Sequence, residues 1–302
     1  MVIRTYLLHP DKGVANERDR LTSEIIGRFL TKVGVDFYVL PWGIPPVFSS
    51  EDEQHYFLYS DDSRLRKPLQ EGNFIVLNTS GYAHSRTYFF ERALKIPSRI
   101  HLQLDSHADL WNSCPHIIGS DGFNAELLNL QGVDYCSLIG VVPNQNLIPR
   151  FQSEEQIKRV LSRLDVILME DIEKLKLYEE PWIADCYESV VRVFPGIKGN
   201  EFRGVPKDVD LSNVPAYVSV DLDVLQDFPS SWKGHGRFDT ELLSRLITKI
   251  GERYRIIAGD ICGLDSKYLP HKEAFDAFMV AYQSLKFAMN LGNRGISRII
   301  KD

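Results

Sequence analysis

Three metal-ligand side chains stand at alternate positions in Asp105-Ser106-His107-Ala108-Asp109, directly after the run Arg99-Ile100-His101-Leu102-Gln103-Leu104. Alternate residues of an extended segment project to one side. If the run is a strand, Asp105, His107 and Asp109 converge just beyond its end. A second acidic pair, Asp221 and Asp223, follows Ala216-Tyr217-Val218-Ser219-Val220 in the same way, and His84 lies in the loop after a third apolar run, Phe74 to Leu77. Two imidazoles and four carboxylates form a hard, oxygen-rich donor set, which suits a pair of divalent ions such as manganese better than a thiolate zinc site. Two ions about 3.5–4 Å apart share carboxylates and lower the pKa of a water between them, so hydrolysis needs no protein nucleophile. The chain has no GxSxG, P-loop or HExxH pattern, and the Gly-x-Gly at Gly234 to Gly236 lacks the strand-turn-helix setting of a dinucleotide site. The plainer reading of Asp105 to Asp109 is a polar loop that caps a helix, and that of His84 an exposed loop histidine.

The elements that must position these residues are legible as an alternation of strand and helix patterns. Strands are expected at Arg4 to Leu8, Asp36 to Leu40 (stopped by Pro41), Phe74 to Leu77, Arg99 to Leu104, Tyr135 to Val142, Asp165 to Met169, Ala216 to Val220 and Arg255 to Gly259. Helices are expected from Asn16 to Val33, Arg86 to Leu94, Glu154 to Leu164, after an N-cap at Asp239, and from His271 to Leu291. Irregular excursions are expected near 45–72 and 170–215. With right-handed crossovers this order gives an α/β fold, a three-layer α/β/α sandwich with a mostly parallel sheet, as one domain over residues 1–302. Sites in such sheets form at the carboxyl ends of strands, which is where all six ligand-type residues fall.

Composition narrows the class. The chain has 302 residues, 44% of them hydrophobic and 25% charged, as in ordinary globular proteins. A formal net charge of -6 gives no support to a general nucleic-acid-binding surface, and no nucleic-acid partner is expected. The four cysteines (Cys114, Cys136, Cys186, Cys262) are dispersed without a CxxC, which suits a reducing compartment. The N-terminus lacks the apolar core of a signal peptide, and no run approaches the roughly 18 apolar residues of a membrane span. A cytoplasmic protein with no membrane partner is expected.

Taken together, the motifs resemble those of the arginase/deacetylase superfamily, the ureohydrolases. Asp105-Ser-His107-Ala-Asp109 resembles the family's Asp-Ala-His-x-Asp, and Ser219-Val-Asp221-Leu-Asp223 its Ser-x-Asp-x-Asp. Gly81 to Ser85 stands where the family has a glycine-rich loop ending in Asp-His-Ser, and Asp260-Ile261-Cys262-Gly263 resembles its Asp-Ile-x-Glu. The resemblance, over roughly residues 73 to 270, implies two Mn²⁺ ions. His84, Asp105, Asp109 and Asp221 would hold one, and Asp105, His107, Asp221 and Asp223 the other. It implies hydrolysis of a guanidinium group to urea and an amine, with a homo-oligomer compatible with the family's habits.

The sequence departs from the family at Gly263, where arginases carry a glutamate that pairs with the guanidinium, and in Tyr82-Ala83-His84, where the loop motif is degraded. Residues that grip free arginine's α-carboxylate and α-amine have no match. This pattern, with DSHADLW and a long middle insertion, looks most like the peptide arginases, which convert arginine side chains in ribosomal precursor peptides to ornithine. An arginine-containing precursor peptide, or else a small guanidine, is the expected partner. Asp109, His116 and His235 are candidate catalytic residues, the histidines as proton shuttles. Asp260, Asp265 and Glu170 are candidates for the missing acid. His101 is read as structural, Trp42 and Trp111 as packing or pocket wall, and Tyr268 as packing or a stabiliser of a tetrahedral intermediate. The rival readings are a deacetylase-type amide hydrolase on the same centre and a metal-free binding relative.

Overall fold

A computed structural model describes residues 2–11, 17–44, 48–49, 55–58, 63–78, 83–110, 117–119, 122–142, 163–168, 215–228, 236–264 and 271–299. In chain order the elements are β1 (Arg4–Pro10), α1 (Glu17–Lys32), β2 (Tyr38–Trp42), β3 (Phe48–Ser49), β4 (His55–Leu58), α2 (Ser63–Leu69) and β5 (Phe74–Leu77). A 3-10 turn (Ala83–Arg86) then leads into α3 (Thr87–Ala93), β6 (Arg99–Leu104), β7 (Ile117–Ile118), α4 (Phe123–Leu127), β8 (Val133–Val141) and β9 (Leu164–Leu168). The chain closes with β10 (Pro215–Asp221), a 3-10 turn (Leu222–Val224), α5 (Thr240–Arg253), β11 (Arg255–Cys262) and α6 (Lys272–Ile299).

Eight strands form one sheet in the order β2-β1-β5-β11-β10-β6-β8-β9, and every pairing in it is parallel. The last two strands in sequence, β10 and β11, are inserted between β5 and β6 at the centre. The strands that lead to the ligand-type residues, β5, β10 and β6, therefore stand together with β11 in the middle of the sheet. A separate three-stranded antiparallel sheet, β3-β4-β7, accompanies it.

Period-two alternation divides the core between the two faces. Leu7, Ile75, Ile100, Leu102, Val218 and Ile256 pack on one side with α1, α5 and α6. Tyr6, Leu8, Phe74, Val76 and Tyr217 pack on the other with α2, α3 and α4. The α5 stripe of Leu243, Leu246, Ile247 and Ile250 is buried, and Asp239 caps the helix by accepting the Leu242 N–H at 2.6 Å. No helix among the described residues is long and apolar enough to cross a membrane.

The structure departs from the sequence expectations in places. β2 runs through Pro41 to Trp42, because it is an edge strand and a missing N–H on its outer side costs no ladder bond. The stretch expected to be irregular near 45–72 holds β3, β4 and α2. Two buried leucines in a seven-residue helix, Leu65 and Leu69, are too few to show a period. The expected helix from Glu154 lies outside the described residues, except that Leu164 opens β9; the second excursion lies outside them up to residue 214, before β10 begins at Pro215.

On the second face, α3 is pinned to β6 by charge. Arg99 Nε donates to Glu91 Oε2 at 2.5 Å and Arg99 Nη2 to the Glu91 carbonyl at 2.9 Å. Glu91 Oε1 faces His101 Nδ1 at 2.6 Å, and all three side chains are buried. Burial alone would raise the Glu91 pKa, but the Arg99 charge and His101 hold it below its ordinary value. Removing one partner of such a group strands the other charge. Arg99→Met is accordingly expected to lower stability by about 3–5 kcal/mol, read from the denaturant midpoint. A loss of under about 1 kcal/mol would show that Glu91 is neutralised without Arg99.

Candidate metal centre

Strand register stacks the polar residues of the second face into rows. Asp221 pairs with Cys262, and Val220 with Leu104, so Cys262, Asp221 and Asp105 share the outermost row at the carboxyl edge. Two residues further in, Ser219 pairs with both Asp260 and Gln103. A third row places Tyr217 beside His101, the two rings stacked at 5.9 Å. A parallel sheet covered on both faces ordinarily carries apolar side chains on each. Here one face of three adjacent central strands is polar for two rows, and β10 and β6 continue it into a third, where β11 carries Ala258.

The outer row carries the ligand-type groups. His84 is delivered by the 3-10 turn after β5 and packs 4.8 Å from the Phe123 ring. Its Nδ1 lies 2.9 Å from Asp105 Oδ2, 3.3 Å from Asp109 Oδ2 and 3.5 Å from Asp221 Oδ2. That nitrogen is buried and makes no hydrogen bond among the described residues. On the other side, His107 Nδ1 is 2.8 Å from Asp223 Oδ2 and 3.6 Å from Asp105 Oδ1. The two oxygens of Asp105 thus face two different histidines. Donor atoms bound to one ion at about 2.1 Å, at right angles, stand about 3 Å apart, so these spacings fit ions held between the side chains. The groups His84/Asp105/Asp109 and Asp105/His107/Asp223 each gather their donor atoms within 4.8 Å. Asp109 reaches its place from a left-handed backbone, φ 47°, a conformation aspartate tolerates better than most residues.

The second row holds the first in place. Gln103 Nε2 donates to Asp105 Oδ2 at 2.6 Å and to Asp109 Oδ2 at 3.3 Å. The orientation of this amide is set from behind, because Asn124 Nδ2 donates to Gln103 Oε1 at 2.8 Å. Ser219 Oγ lies 2.8 Å from His84 Nε2, which turns Nδ1 toward the carboxylates. Asp260 accepts from Tyr217 Oη and Thr87 Oγ1, both at 2.9 Å. Asp221 and Asp223 are tied by local bonds: Asp223 N–H donates to Asp221 Oδ1 at 3.0 Å, and Ser106 Oγ to Asp223 Oδ1 at 2.9 Å.

So much buried acid shifts the protons. Burial and the Asp105 charge push Asp109 up to about 7. Burial, with the Asp223 and Asp105 charges, lifts Asp221 well above the carboxylate range, and burial with Asp105 lifts Asp223. Burial opposes the His107 imidazolium, but hydrogen bonds to Asp105 and Asp223 outweigh it and raise His107 to about 12. Burial opposes His84 likewise, but Cys262 and the nearby Asp105 and Asp109 carboxylates raise it well above its usual value. Asp105 alone of these acids is lowered: burial is outweighed by the nearby His107 and His84 imidazoles. Without cations the cluster is loaded with protons.

The structure brings together His84, Asp105, His107, Asp109, Asp221 and Asp223. It places Asp260 inside the protein, fully buried and bonded on both oxygens, where it has no free edge for a guanidinium. Trp42 is core, edge-on to Phe89 at 5.4 Å with the Arg86 guanidinium 5.2 Å over its ring, so it walls no pocket. His101 is a buried strand residue, as expected. His116, His235, Asp265, Glu170, Trp111 and Tyr268 lie outside the described residues. Sequence reasoning missed Gln103 and Asn124. The available signal was a glutamine on the strand's polar face, two positions before the first ligand-type residue.

No family model and no curated sequence matches the chain. Solved structures do. A proclavaminate amidino hydrolase from Streptomyces clavuligerus superposes with TM-score 0.59 at 14% identity, over 96% of this chain and 93% of that one. The Helicobacter pylori arginase gives 0.58 at 13%, over 96% and 99%. A Trypanosoma cruzi formiminoglutamase with Mn²⁺ gives 0.56 at 12%, over 95% and 94%. The resemblance drawn from the motifs is thus matched at the level of architecture, and the chain has the fold shared by arginases, agmatinases and formiminoglutamases.

Proposed function

We propose that the chain is a binuclear manganese hydrolase that converts arginine side chains within a precursor peptide to ornithine, releasing urea. The observation that carries this reading is the convergence of six ligand-type side chains at the carboxyl edge of a ureohydrolase fold. The neighbours with this architecture are named for action on amidino, arginine and formimino groups, and one is described with Mn²⁺. In this chain His84, Asp105, Asp109 and Asp221 would hold one ion and Asp105, Asp221, His107 and Asp223 the other. When bound, such a pair supplies Lewis-acid activation of water.

The chain's own residues supply order and charge. Gln103 shares one amide between Asp105 and Asp109 and fixes their separation. His107, 24% exposed, and Asp109, 11% exposed, mark the side open to substrate, since His84 and Asp105 are buried beneath them. A peptide substrate is favoured because the residues that hold the ends of free arginine have no counterpart in the sequence. The second reading, hydrolysis of an acetylated amine, draws on the absence of a glutamate at Gly263.

Gly263 itself has a geometric reason. Its φ is +95°, and a Cβ there would lie 2.7 Å from Asp221 Oδ1 and 3.0 Å from the Leu222 nitrogen. No side chain fits without moving Asp221. Gly263→Glu, which would restore the arginase pattern, is therefore expected to weaken metal binding at least about tenfold and to abolish turnover. Calorimetric titration with Mn²⁺ checks it, and a variant that binds normally and gains free-arginine hydrolysis would contradict it.

Purified protein with Mn²⁺ should release urea from an arginine-containing peptide, with a mass loss of about 42 Da per arginine. Free arginine should turn over far more slowly. Absence of urea from every peptide and guanidine tried would sink the proposal, and acetate from an acetylated amine would favour its rival.

Metal loading should also depend on pH. His84, His107, Asp109 and Asp221 have raised pKa values and hold protons in the cation-free state, and these must leave before the groups bind. Affinity should thus rise with pH, about tenfold per unit for each proton released. Calorimetry in buffers of different ionisation enthalpy counts those protons; a count near zero between pH 6 and pH 8 would contradict this picture.

A further inference from the structure

One reactive group of the outer row has no part in the function proposed above. Cys262 closes β11 and pairs in register with Asp221, so its side chain stands at the height of the ligands and on their face of the sheet. Its Sγ lies 3.3 Å from Asp221 Oδ2, the oxygen that is 3.5 Å from His84 Nδ1. Donor atoms of His84, Asp221 and Cys262 all fall within 4.8 Å of one another, and all three residues are buried. One ion with bonds of about 2.0–2.3 Å to nitrogen, oxygen and sulfur spans such a group. A further sign of an ion here is His84 Nδ1, a buried nitrogen without a hydrogen bond among the described residues, 3.5 Å from Asp221 Oδ2.

We infer that Cys262 is a sulfur ligand of the ion on the His84 side, which makes the two metal positions chemically unequal. The position between His107, Asp105 and Asp223 offers only nitrogen and oxygen. The His84 position adds a soft donor and so tolerates borderline ions such as cobalt or zinc better than the hard position does. Without an ion the sulfur is a thiol that donates to Asp221. On binding, the S–H bond breaks, the metal–sulfur bond forms and the proton passes to solvent, so charge and atoms balance with no oxidant or reductant. The inference rests on the metal-centre reading and sharpens it: the peptide hydrolase would carry one hard site and one mixed site.

Cobalt tests the two ideas separately. The wild-type protein titrated with Co²⁺ should show visible d–d bands from bound ion together with a near-ultraviolet thiolate-to-cobalt charge-transfer band. Cys262→Ser should lose the charge-transfer band, keep the d–d bands, and bind Co²⁺ about tenfold or more weakly while Mn²⁺ affinity changes by less than about twofold. Cys136→Ser, altered at a buried thiol on β8, should retain the band. X-ray absorption on the wild type supplies a measurement independent of any variant, with a sulfur scatterer expected at about 2.3 Å. Cobalt that binds with only nitrogen and oxygen neighbours would overturn the assignment of Cys262 and leave the metal centre standing. A protein that binds no divalent ion would overturn both.

Discussion

Like charges drawn together out of water set the terms for this molecule. Asp105, Asp109, Asp221 and Asp223 crowd around two histidines, mostly beneath the surface, and no lysine or arginine is paired with them among the ion pairs of the described residues. Several carboxylates in one low-dielectric pocket cannot all be ionised without cations, which is why Asp109, Asp221 and Asp223 are pushed upward while the histidines are drawn into their charged forms. Protons are the weaker of the two available solutions. Divalent ions are the stronger one, and the two oxygens of Asp105, each turned to a different histidine, are already divided between two positions.

Such a cluster needs a rigid support, and the rows beneath it serve as one. The amide of Gln103 is neutral, so it restrains two acidic ligands without adding charge. Asn124 settles which end of that amide faces them. Behind Gln103, His101 and Glu91 carry the chain of polar contacts back to Arg99, a cation placed where it neutralises Glu91 and not the ligands. Charge is in this way sorted by depth. The arginine lies at the amino end of β6 and the carboxylates at its carboxyl end, with neutral or switchable groups between. The apolar opposite face of the same strand, Ile100, Leu102 and Leu104, binds it to the core shared with α5 and α6. One strand thereby fastens the core and aims the site.

Much of this was open to reading in the sequence. The two acidic motifs sit after strands whose apolar runs are unmistakable, and the strand ends are where a parallel sheet forms its sites, so six residues far apart in the chain could be gathered on paper. The sheet proved parallel throughout, and its order, with β10 and β11 inserted centrally, is one that local patterns do not encode. The helix α2 escaped notice because tertiary packing of two leucines, and not periodicity, makes it. Asp260 looked like an acid near the site and is one, yet register carries it one row too deep. The same register raises Cys262 to the level of the ligands, and only the pairing of β11 with β10 shows that. Sequence spacing locates a residue along its own strand; its height beside a neighbour is a property of the sheet.

Gly263 joins the metal centre to the question of substrate. Its left-handed backbone lets the chain pass so close to Asp221 that a β-carbon would intrude. The backbone at Gly263 packs directly against the Asp221 carboxylate and offers no acid of its own. On the function proposed above, recognition of the substrate then comes from further out. The site opens on the side of His107 and Asp109, and the connections that leave the carboxyl ends of the strands start along that edge. The longest of them, residues 169–214, departs from β9. Carboxyl-edge connections are where sheets of this type vary their specificity. On the function proposed above, six ligand-type residues with no acid at Gly263 fit a peptide gripped away from the reacting carbon.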